Sequence, residues 1–154
     1  MGGYPIELIE DTVIAALEPL KSTIGVREIA TYQGEFEAED LKKLGGKFPA
    51  IYVIYCGGTY KAHGARKTET PILTLFVCDR SLRSEEEARR GSGANPGTYR
   101  MLRECRDLIA GKNLGLVELK PFEILRDIPV WSGDGISIYA QEYETAQAHL
   151  YPTP

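Results

Sequence analysis

Small residues ahead of a helix are what proteins use to cradle phosphate, and the stretch SLRSEEEARRGSGANPGTYRML, residues 81–102, carries them in its centre as GSGANPGT. A Walker-type loop requires G-x-x-x-x-G-K-[ST]. Between Gly91 and Thr98 there is no lysine, and the glycine spacing is wrong. The dinucleotide pattern G-x-G-x-x-G fails at its last position, which is Pro96. What remains is the general attraction of a helix N-terminus for an anion, and a flexible lead-in to a capped helix accounts for the loop equally well.

Other residue types able to do chemistry do not converge. His63 lies in a polar segment and His149 near the C-terminal end, with no H-x-x-x-H or C-x-x-C spacing, so both read as surface histidines. Cys56, Cys78 and Cys105 sit in IYCGG, FVCD and LRECRD and read as buried, reduced thiols on core faces; Cys105, between Glu104 and Arg106, has the most polar neighbours. The acids Glu35, Glu37, Glu39 and Asp40 read as a solvated loop. No catalytic set, metal site or cofactor is therefore expected, and the chain does not read as an enzyme.

The elements that would position these residues form one domain, residues 1–154, a length that buries a core without staples. A formal charge of −4 opposes a protein whose main work is coating nucleic acid phosphate, and sequence-specific nucleic acid binding is not expected. The N-terminal stretch carries acids where a signal peptide needs cations, and no apolar run approaches membrane-spanning length, so a cytosolic protein without membrane contact is expected. Ile6, Ile9, Val13, Leu17 and Leu20 recur at helical spacing after Pro5. Residues 26–32 read as a short strand, and AEDLKKLGG as a helical turn or two.

PAIYVIYCGG and PILTLFVCD are near-continuous apolar runs, expected as central strands joined by a wide polar loop. Asn95 as N-cap and Pro96 as first residue open a second helix through Tyr99, Leu102 and Ile109 to Gly111. The last third reads as a hairpin around SGDG, with Ser137, Tyr139, Gln141 and Tyr143 on the wetter face and the tail YPTP loose. The order predicts an α+β fold: a mainly antiparallel sheet with two principal helices on one face.

The succession IELIEDTVIAAL, VREIATYQGEF, FPAIYVIYCGG, LTLFVCDRSLRSEEEARRG, GTYRMLRECRDLIAGKNLGL and ISIYAQEYET resembles the Mu-like phage tail-region proteins encoded upstream of the contractile tail sheath. The most specific part is R-S-L-R…R-R-G…Y-x-x-L…R-x-L-I-A-G. The resemblance implies a tail terminator: a homo-oligomer forming a hexameric ring on the tail tube, with tail tube protein, sheath and head-completion protein as partners, assembled in the cytoplasm and then resident in the virion tail. A head-completion or sheath-associated adaptor, or a nucleic-acid binder or enzyme encoded among the tail genes, are the alternatives.

In such a ring the lumen should be acidic or neutral, with Lys61, Arg66 and Lys67 away from it, because a cationic channel would hold DNA. Residues 81–94 then become a candidate assembly segment, poor in apolar area and ordered by a partner. Arg80, Arg83, Arg89 and Arg90 offer forked donors, and Glu85, Glu86 and Glu87 reciprocal acceptors. The alternative is a short solvated helix with pairs between 85 and 89 and between 86 and 90.

Overall fold

A computed structural model describes residues 3–32, 45–93 and 95–150. The acids Glu35, Glu37, Glu39 and Asp40, the turn AEDLKKLGG up to Leu44, Ala94 and the tail YPTP lie outside the described residues. Spacing of four places Ile9, Val13 and Leu17 on one stripe of helix α1 (Ile6–Leu17), and all three are buried. Pro19 follows the end of that helix, and one further turn, α2 (Leu20–Thr23), contributes buried Leu20.

The sheet has six strands: β1 (Glu28–Thr31), β2 (Ala50–His63), β3 (Arg66–Arg80), β4 (Glu123–Gly133), β5 (Ile136–Glu144) and β6 (Gln147–Leu150). Their order is β1-β2-β3-β5-β4, with β6 pairing β3. Only β1 and β2 run parallel; the other pairs are antiparallel, which is the mixed α+β architecture expected. Two short helices follow β3: α3 (Glu85–Arg90) and α4 (Thr98–Ile109).

Alternation along β2 and β3 turns Ile51, Val53, Leu73, Leu75 and Val77 towards α1 and α4, where they meet Ile9, Val13, Met101, Leu102 and Ile109 in the main core. Ile54, from the same apolar run, falls on the opposite face with its register partner Thr74 and is half-buried. That face carries a second cluster of Phe48, Ala50, Tyr52, Cys78, Ile136 and Ile138.

Two expectations about the strands change. The wide polar loop is not a loop: pairing continues from Gly58 with Pro71 out to His63 with Arg66, so β2 and β3 form one long projecting hairpin. Its far part is stabilised by β6, which lies beside Arg66 to Glu69, a long-range pairing that local composition does not announce. The supposed wetter face of β5 is covered as well. Ser137, Gln141 and Tyr143 are buried beneath α4, their polarity absorbed by hydrogen bonds: Ser137 Oγ lies 2.9 Å from Thr98 Oγ1, and Gln141 Nε2 donates to Leu102 O at 3.1 Å and Asp127 Oδ1 at 3.0 Å.

The cysteines divide. None of the three is in a disulfide, and Cys78 and Cys105 are buried, but Cys56 is exposed, because the register shift between Tyr55 and Gly58 interrupts the alternation there. Burial, with Glu104 and Asp127 beside it, pushes the Cys105 thiol well above its ordinary pKa, so it is inert. Alkylation of the folded protein is expected to label Cys56 alone, and all three in denaturant without prior reduction. Native labelling of Cys105, read by intact mass, would contradict this packing.

Candidate functional site

The charged segment is built as a clasp. Ser84, extended at φ −168°, accepts from Glu87 N through its Oγ at 3.2 Å and so caps α3. Glu85, Glu86 and Glu87 occupy the first turn and Arg89 and Arg90 the last, which complements the helix dipole. Ala88 is fully buried and fastens the helix from below. Ser81 closes the other end, donating from Oγ to Glu87 Oε2 at 2.9 Å and from its backbone N to Gly135 O at 2.8 Å. Gly135 N in turn donates to Glu85 Oε1 at 3.3 Å.

Asp79 fixes the second side of the clasp. Its Oδ2 accepts from Gly97 N at 2.7 Å, and its Oδ1 accepts from Asn95 Nδ2 at 2.9 Å and Arg80 N at 2.7 Å. Burial raises its pKa above the ordinary carboxyl value, and these donors, with the charge of Arg27, only partly offset that. Asn95 is therefore not a helix cap as expected. The cap position of α4 belongs to Gly97, at φ 82°. The glycines of GSGANPGT serve backbone approach: at Gly91, φ 89°, and at Gly97 the two chain segments touch, and a Cβ on Gly97 would strike Gly91 N.

Of the candidate residues, Arg83, Glu85, Glu86, Arg89 and Arg90 stand on or beside α3, while Arg80 ends β3 half-buried against Gly45. The short helix of the alternative reading is the one that forms, with Arg90 Nη1 3.5 Å from Glu86 Oε1. The pair of Glu85 with Arg89 is replaced by the Gly135 contact: Glu85's own N–H, Gly135 N and then Arg89 hold that carboxyl below its usual range. Arg83 is 84% exposed and 3.9 Å from Glu87, and its neighbour Leu82 is 90% exposed. At the other end of α3 an open groove of about 520 Å³ is lined by Arg90, Asn95, Tyr99, Arg100 and Arg103. This surface suits carboxylates and an apolar anchor on a protein partner; it assembles no nucleophile with a base.

One cluster was missed from sequence. Glu69, buried, accepts from Gln147 Nε2 at 2.9 Å and Tyr60 OH at 3.1 Å, and its Oε1 lies 2.6 Å from His149 Nε2. Gly3 N donates to His149 Nδ1 at 3.1 Å, so Nε2 carries the proton. Burial alone would raise the pKa of Glu69, but the donors from His149, Gln147 and Tyr60 outweigh it and leave the carboxyl below its usual value. His149 is thus not a free surface residue. Gln147 also exchanges bonds with Tyr4 N at 2.7 Å and Tyr4 O at 3.0 Å, so the cluster ties the N-terminal segment to β3 and β6.

Among the described residues no group of three or more His, Cys, Asp and Glu is arranged to hold a metal, and no helix is long and apolar enough to cross a membrane. The family model for Bacteriophage Mu, Gp37 matches residues 5–148. No curated protein matches the sequence. Among solved structures, a chain of the "Virion of native gene transfer agent (GTA) particle" is similar with a TM-score of 0.58 over 91% of this chain and 94% of that one. Its 11% identity makes this a likeness of fold.

Proposed function

The chain belongs to the Bacteriophage Mu, Gp37 family, and from that premise we propose that it is a structural protein of the phage particle that terminates the tail. Six copies form a ring on the finished tail tube, stop its growth and present a surface to the head-completion protein. Family membership across residues 5–148 carries this reading. The fold shared almost end to end with a chain of a gene transfer agent virion supports it.

The clasped segment is the surface offered to another virion protein. Its base is held by Ala88, Asp79 and Ser84, so Leu82 and Arg83 are presented on a fixed support. A partner that covers Leu82 and pairs Arg83 gains apolar burial and a charge-assisted bond without first ordering the loop.

Loss of the gene is expected to give overlong tails, measured by electron microscopy of lysates. Tails of normal length lacking heads would replace the terminator reading with that of a head-completion adaptor. Leu82→Asp with Arg83→Glu is expected to leave thermal unfolding unchanged while weakening tail capping about thirtyfold or more, the loss typical of an interface anchor. Normal capping by that variant would remove the clasp from the assembly surface.

A further inference from the structure

The β2–β3 hairpin is the most exposed part of the described structure, every residue from 58 to 67 being open to solvent. It carries Lys61, His63, Arg66 and Lys67 and no acid between Gly57 and Thr68, on a chain whose overall charge is −4. Lys61 is registered with Thr68, and His63 with Arg66. Because Leu73, Leu75 and Val77 give the odd-numbered side of β3 to the helices, alternation sends Lys61, His63 and Arg66 to the opposite face.

On that same face, at the far edge of the sheet, Glu123 of β4 stands directly opposite Glu144 of β5, which is itself registered with Ile72. Like charges in that relation repel. Among the described residues neither carboxylate has an ion pair, although Lys120 lines the same shallow pocket of about 240 Å³. Within the subunit neither Lys61 nor Arg66 is ion-paired with them, although Thr68, the register partner of Lys61, lines that pocket too. Arg66 is six residues from Ile72 along β3, roughly 20 Å at the rise of a strand, and at physiological salt charges are screened beyond about 8 Å.

Resting on the ring reading above, we propose that the arm of one copy lies over the Glu123–Glu144 pair of the next copy, setting Lys61 and Arg66 against the two carboxylates. A contact between two different patches of one chain is head-to-tail, and repeats around a closed ring. It places the arm's cations between subunits and away from a DNA lumen. The strand edges permit this approach: among the described residues β4 pairs only with β5, and β1 covers β2 only from Ala50 to Val53.

Charge reversal in two halves tests the contact. Variant one is Lys61→Glu with Arg66→Glu, and variant two is Glu123→Lys with Glu144→Lys. By native mass spectrometry and sedimentation, each alone is expected to assemble about tenfold or more weakly than the unaltered protein, because like charges then meet. Mixed in equal amounts they should assemble again, in rings where the two variants alternate, so only even-numbered rings close. All four substitutions in one chain should also restore assembly.

Should variant two fold poorly, Glu123→Gln with Glu144→Gln serves: monomer stability equal to or above the parent, since the internal repulsion is gone, with weakened assembly. Folded variants that assemble like the parent, or mixtures that recover nothing, would overturn the contact and leave the ring intact. Failure of the unaltered protein to form a ring, alone or on tail tubes, would overturn the ring and the contact together.

Discussion

Truncation of Leu75 to alanine is expected to lower stability by about 2–5 kcal/mol, towards the upper half of that range. Leu75 is 1% exposed in the central strand, between Val53 on β2 and Gln141 on β5, beneath α1 and α4. The cost of such a truncation depends on how far the neighbours collapse into the space. Here one flank is fixed: Gln141 is held through its amide to Leu102 O and Asp127 and through its carbonyl oxygen to Tyr143 OH, so moving it would break buried hydrogen bonds. Val53, in a strand paired on both sides, is also constrained. Urea unfolding at unchanged m-value is the measurement. A loss below about half a kilocalorie, the range of a surface substitution, would show that β3 is not the centre of the core.

What the sequence disclosed follows from the range of the interactions involved. The stripe Ile9, Val13, Leu17 and the runs through Ile51 and Leu75 are local patterns, and burial obeys them. The turn at Asp134 and Gly135 is local too, and both have positive φ, 53° and 73°. The arm was hidden because its pairing depends partly on β6, more than 75 residues away in sequence. Gln141 and Tyr143 looked wet because polarity was read as exposure, whereas a helix laid over them supplies partners. His149 looked solvated for the same reason, since nothing near it in sequence announces Glu69. Asn95 and Pro96 suggested a helix start, but the carboxylate that claims Asn95 comes from Asp79, sixteen residues earlier.

That carboxylate joins the fold to the proposed assembly surface. Asp79→Ala is expected to cost about 2–4 kcal/mol, because it strands the buried Gly97 N–H and frees Asn95 from its strand, while Asn95 keeps its bond to Arg80 O. The loss should be larger for assembly than for folding, since the clasp that holds α3 and presents Leu82 and Arg83 opens before the core does. Asp79→Asn separates charge from shape. An amide oxygen still accepts one donor, so the cost falls to about 1–2 kcal/mol.

The pH dependence then gives the sign. The folded-state pKa of Asp79 lies above its ordinary 3.8, so the folded protein holds that proton more tightly; the resulting stability is full below 3.8 and is lost as pH rises through the raised value. Glu69 works oppositely: its folded pKa lies below the ordinary 4.5, so its contribution is present above 4.5 and is lost as pH falls. Subtracting the stability curve of Asp79→Asn from that of the parent isolates the first slope. The difference should favour the parent most at acid pH and shrink as pH rises. A difference that instead grows with pH would mean that the donors of Asn95, Arg80 and Gly97 outweigh burial, and that Asp79 holds the clasp as a stabilised anion.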